Sequence, residues 1–127
     1  MKERVIALGF FDGVHLGHGA LLRRAAEEAA LRGCTPAVFT FDRPPKEVVT
    51  GVPCPLINSP EDRRDLVRRL YRIQDVLMVP FDREMMTTPW DDFIVRILVG
   101  RYHAVHLVAG HDHHFGHRNQ GLSLIHI

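Results

Sequence analysis

Two cysteines, Cys34 and Cys54, are all that the 127 residues contain. Their spacing matches neither a zinc ligand set nor a disulfide framework, so they read as free thiols in a reducing compartment. No apolar run approaches the ~20 residues of a membrane span. The amino terminus, MKERVIALGFF, is too short and turns polar too soon for a signal peptide. A formal net charge of +1 gives no basic field for a nucleic-acid backbone. Internal repeats and low-complexity tracts are also missing. These absences leave a cytoplasmic globular protein with no nucleic-acid and no membrane partner. At 46% hydrophobic and 24% charged residues, one domain with a real core is expected. Histidine is the outlier, with nine copies; every one except His15 and His18 lies from His103 onward.

Four short apolar runs alternate with helical patterns. Val5 to Gly9 reads as a buried strand stopped by glycine. From Gly19 to Leu31, Leu22, Ala25 and Ala29 share one face, with Arg23, Arg24, Glu27 and Glu28 outside. Gly33 supplies the stop. Pro36 to Phe41 is the second strand, followed by a proline-rich loop from Pro44 to Pro55. Ser59-Pro60-Glu61-Asp62 carries a capping serine, a proline at the first helical position and an acid in the first turn. That helix runs to about Tyr71, with Leu66, Val67 and Leu70 as its apolar side. Arg63, Arg64, Arg68, Arg69 and Arg72 read as a solvated face, offset at helical spacing by Glu61, Asp62 and Asp65. Val76 to Val79 is the third strand. Thr88-Pro89-Trp90-Asp91 repeats the start signal for a helix through Phe93, Ile94, Ile97 and Leu98, with Trp90 as a packing anchor. Met78, Met85 and Met86 read as core or loop filler. Ala104 to Ala109 is the fourth strand, ended by Gly110.

This β-α-β-α-β-α-β order predicts an α/β fold: a Rossmann-like three-layer parallel sheet with right-handed crossovers. Three unusual segments each follow a strand: GFFDGVHLGH (9–18), FDRPP (41–45) and GHDHHFG (110–116). In a parallel sheet all three lie at the carboxyl edge, where open α/β sheets bind ligands. With strand order 3-2-1-4 the first and third segments face each other across the switch point. In the first, Gly9 and Gly13 let backbone N–H groups approach an anion, and Gly17 keeps the helix entry narrow. The helix starting near Gly17 to Gly19 offers unsatisfied N–H groups and its positive end. His15 and His18, three apart, can address one phosphate. On the residues alone the pair fits a structural turn equally well, and Asp12 fits a turn or a cap. Of Phe10 and Phe11, one is expected to face inward and the other to shape the crevice. The spacing matches neither GxGxxG nor GxxxxGK[ST]. The run His111, His113, His114 and His117 lacks the partner set of a metal site, and no metal ligand is assigned.

His15-Leu16-Gly17-His18 resembles the HxGH signature of the adenylyl- and cytidylyltransferases. The longer GFFDGVHLGH, with FTFD at 39–42, the segments LINSPEDR and VPFDREM, and G-x-D-x-x-F-G at 110–116, resembles bacterial FAD synthetases. More narrowly it is similar to their N-terminal FMN adenylyltransferase domain, over Val5 to Gly121.

That resemblance implies transfer of AMP from ATP to FMN with release of pyrophosphate, without a covalent enzyme intermediate. It implies that His15 and His18 are catalytic, stabilising the triphosphate, and that Gly9, Phe10, Phe11, Asp12, Gly13 and Gly17 join them in binding ATP. Asp42 and Pro45 would lie on the flavin side, with Asp112, Phe115 and Gly116 forming the nucleotide pocket from the opposite strand. Mg2+ would enter with the triphosphate. Where the family commonly has FDPHP, this sequence has Phe41-Asp42-Arg43-Pro44-Pro45, so that loop keeps a shape role. Residues 1–121 read as an adenylyltransferase domain incomplete at its C-terminus. Residues 122–127 read as a truncation or a foreign tail, and a riboflavin kinase domain is expected in the intact parent protein. The alternatives are another HxGH adenylyl- or cytidylyltransferase, or an inactive nucleotide-binding fragment.

Overall fold

The computed structural model describes residues 2–9, 16–43, 47, 50–53, 59–109 and 123–126, with 16–18 and 123–126 described as backbone only. The chain runs β1 (Arg4–Leu8), α1 (Leu16–Arg32), β2 (Thr35–Phe41), α2 (Pro60–Tyr71), β3 (Asp75–Val79), α3 (Arg83–Thr87), α4 (Trp90–Asp92), a π-helical stretch Phe93–Val99, β4 (Ala104–Ala109) and β5 (Ser123–His126). The five strands form one sheet in the order β3-β2-β1-β4-β5. The first four are mutually parallel, in the 3-2-1-4 order expected. β5, by contrast, lies antiparallel to β4, with Ala109 opposite Ser123 and His106 opposite His126. It comes from the segment set apart as a tail, whose apolar run covers the otherwise open edge of β4.

The central strands β1, β2 and β4 are buried on both faces because residues of period two feed two cores. Val5, Ala7, Val38 and Val108 turn toward α1 and α2, meeting Leu22, Ala25, Ala29 and Val67. Ile6, Leu8, Phe39, Phe41 and Leu107 turn the other way, against Phe81, Phe93 and Leu98. This makes the three-layer α/β architecture. The second core is aromatic. Phe39 meets Phe41, Phe93 and Tyr102 edge-on at 5.6, 5.3 and 6.0 Å between centroids. Trp90 stacks on Phe93 at 5.7 Å, the packing role that its place in the sequence suggests.

Helix starts follow local chemistry. Ser59 caps α2, its Oγ accepting from the Asp62 N–H at 3.1 Å. α2 then ends on Arg72 in the left-handed region at φ 57°. Asp82 caps the short α3, accepting from the Met85 N–H at 2.9 Å. This five-residue helix is too short to show a period, and the sequence pattern does not announce it. Thr88 is a correction. Its hydroxyl donates to the Glu84 carbonyl at 2.7 Å, closing α3, and the next helix starts behind Pro89 with no side-chain cap. Beyond Asp92 the helix widens, with the Gly100 N–H reaching the Val95 carbonyl at 2.9 Å.

A second correction concerns α2. Leu70 is 58% exposed, and the inward stripe is instead Arg63, Leu66, Val67 and Tyr71. Arg63, expected on a solvated face, is only 1% exposed. The helix is rotated so that a cation occupies the first position of its buried face. The reason lies in what that cation reaches.

Candidate active site

Parallel pairing brings the ends of three strands to one edge. Leu8, the last residue of β1, sits opposite Phe39 of β2 on one side and Ala109, the end of β4, on the other. Because β2 lies on one side of β1 and β4 on the other, the chain direction diverges at β1. That is the switch point at which open α/β sheets form a crevice. The segments following β1, β2 and β4 therefore start side by side.

Gly9 leaves β1 with its N–H donated to the Phe39 carbonyl at 3.2 Å. That N–H thus serves the sheet, and not an anion as its place in the glycine-bearing segment suggests. Phe10, Phe11, Asp12, Gly13 and His15 lie outside the described residues. α1 begins at Leu16, slightly earlier than expected, so Gly17 and His18 belong to its first turn. That turn contains no acidic residue, so no carboxylate there competes for the N-terminal N–H groups. Gly19 follows, and a Cβ there would stand 2.6 Å from the Tyr71 hydroxyl oxygen. Glycine at this position lets the end of α2 rest against the start of α1. Arg23 extends over the Tyr71 ring at 5.9 Å.

Asp42 closes β2. Its N–H donates to the Val79 carbonyl at 3.0 Å, and its Oδ1 accepts from the Phe81 N–H at 3.2 Å. It therefore ties the chain leaving β2 to the chain leaving β3. Behind it stands Arg63. Nη1 donates to Thr40 Oγ1 at 3.2 Å, and Nη2 donates to the carbonyls of Phe41 and Asp42 at 3.0 and 3.2 Å. Sequence reasoning missed this residue, though a signal existed. Arg63, Val67 and Tyr71 recur at i, i+4 and i+8, which places a cation in line with an apolar stripe.

Pro45, Asp112, Phe115, Gly116 and the histidines from His111 to His117 lie outside the described residues. Among the described residues no group of three His, Cys, Asp or Glu side chains converges on a metal position. Among them, too, no helix is long and apolar enough to cross a membrane.

A model of the FAD synthetase family matches residues 1–124. The chain is 33% identical over 121 residues to the bifunctional riboflavin kinase/FMN adenylyltransferase of Listeria monocytogenes, covering 94% of this chain and 38% of that protein. The proteins of the same name from Bacillus subtilis and Escherichia coli K12 are each 34% identical, over 121 and 119 residues. They cover 94% and 92% of this chain. The chain thus spans about 38% of the length of these relatives. Among solved structures, one titled a macrolide-efflux protein from Streptococcus pneumoniae superposes with a TM-score of 0.78 at 26% identity. It covers 91% of this chain and 39% of that one.

Proposed function

This chain belongs to the FAD synthetase family, and from that premise we propose that it carries the adenylyl-transfer chemistry of FAD formation. ATP and FMN are the substrates. A phosphate oxygen of FMN attacks the α-phosphorus of ATP in line, the bond from that phosphorus to the bridging oxygen breaks, and pyrophosphate leaves. The protein's task is positioning and neutralising developing charge. The observation that carries the reading is the convergence of strand ends at Leu8, Phe41 and Ala109, beside an α1 first turn that bears His18 and no acid.

In this reading His15 and His18 donate to the triphosphate, the backbone of residues 10–13 beyond the sheet-bound Gly9 N–H lines the ATP site, and Asp42 and Pro45 flank the flavin. Asp112, Phe115 and Gly116 close the nucleotide pocket from the β4 side. Mg2+ would enter with the triphosphate, held by phosphate oxygens and water. A cytoplasmic setting and a riboflavin kinase domain in the intact protein belong to the same proposal.

Incubating the protein with ATP, Mg2+ and FMN should yield FAD and pyrophosphate on a chromatogram. Turnover with phosphopantetheine in place of FMN, and none with FMN, would sink the assignment.

A further inference from the structure

We propose that Arg63 is a positioning residue for the flavin side of the site: from behind the sheet it sets the point at which the chain leaves β2. The proposal rests on the FMN reading above. Burying a guanidinium is costly, and an apolar side chain of similar volume commonly stabilises a core as well or better. What an apolar side chain cannot do is orient carbonyl groups. Arg63 grips three consecutive residues with one planar fork, at Thr40 Oγ1 and at the carbonyls of Phe41 and Asp42.

Those carbonyls stand where the ladder ends, since Phe41 opposite Val79 is the last pair of β2 and β3. Asp42 is then held through all three of its polar groups: N–H to Val79, carbonyl from Arg63, and carboxylate from the Phe81 N–H. The exposed Arg43 that follows departs from an immobilised residue. The β1 side is built separately, because Gly9 is secured by the Phe39 carbonyl. The Arg63 acceptors all fall on residues 40 to 42. Loss of the fork should therefore disturb the β2 side and spare the β1–α1 side.

The test measures FMN binding by quenching of flavin fluorescence and ATP binding by calorimetry, on the full chain and on Arg63→Met and Arg63→Lys. Arg63→Met should weaken FMN by about tenfold or more while ATP changes less than about twofold, as expected for losing hydrogen bonds from a charged donor. Arg63→Lys should recover part of the FMN affinity, keeping the charge without the fork. Equal loss for both ligands, or unchanged FMN affinity, overturns the proposal. If Arg63→Met does not fold, Arg63→Lys decides: wild-type FMN affinity in it overturns the proposal. An unmodified chain that binds ATP and not FMN removes the FMN reading itself, and this inference with it.

Discussion

The two ends of the sheet are built on opposite plans. At the amino edge, charged groups satisfy one another. Asp75 accepts from Arg4 Nε at 3.0 Å and Lys2 Nζ at 3.2 Å, while Arg4 Nη1 donates to the Tyr102 carbonyl at 2.7 Å. Burial pushes the Asp75 carboxyl up, but the hydrogen bonds and charges of Arg4 and Lys2 outweigh it, and its pKa lies below the usual value. At the carboxyl edge, the polar groups that end β2 are held from behind by Arg63, and Asp42 bridges to Phe81. The chain leaving β2 is anchored there through Asp42. One edge pairs charge with charge; the other pins backbone from behind.

If that contrast holds, substitutions at the carboxyl edge should alter ligand handling, and those at the amino edge should alter stability alone. The largest effect is expected from His18→Ala, which should lower the rate of FAD formation by about a hundredfold or more with little change in FMN affinity, because its help is needed at the transition state. Equal losses in rate and affinity would make His18 a structural turn residue instead. Asp42→Ala comes next. It strands the Phe81 N–H, and chemical denaturation should show a cost of about 1–3 kcal/mol, accompanied by weaker FMN binding.

At the opposite edge, Asp75→Asn should cost no more than about 1 kcal/mol, since the pair is partly solvated, and should leave ATP and FMN binding unchanged. The folded-state pKa of Asp75 is depressed, so its contribution is fully present above the unfolded value of about 3.9 and is lost as pH falls through the folded value. Thermal unfolding of wild type and Asp75→Asn should therefore converge in acid. A constant gap down to the lowest pH would deny the ion pair its role. The smallest effect should come from Gly19→Ala. Alanine favours the helix by up to about 1 kcal/mol, yet its Cβ would meet the Tyr71 hydroxyl, so the two nearly cancel. In a Tyr71→Ala background the helix gain should emerge as a raised Tm; no change there would mean that the contact is not what keeps glycine at this position.

Much of this fold is readable from local sequence because its causes are local. The alternation in Val5 to Leu8 fills two cores, and the Ser59 cap with Pro60 starts α2 as its chemistry requires. The glycine- and histidine-bearing segment 9–18 stands out by composition alone, as does its place between a strand and a helix. The fifth strand could not be read this way, since Ser123–His126 becomes a strand only when β4 offers an edge. The widened turn over Phe93–Val99 was equally hidden; its sequence fits an ordinary amphipathic helix.

Arg63 marks the division most clearly. By itself the sequence determined the four parallel strands, the Ser59-capped start of α2 and the order in which the unusual segments follow those strands, because propensity, capping and hydrophobic period act within a few residues. Only the tertiary structure decided that a helix arginine would turn inward. Its acceptors lie more than twenty positions earlier, at the end of β2, and only sheet pairing and helix packing bring them within hydrogen-bond reach of α2.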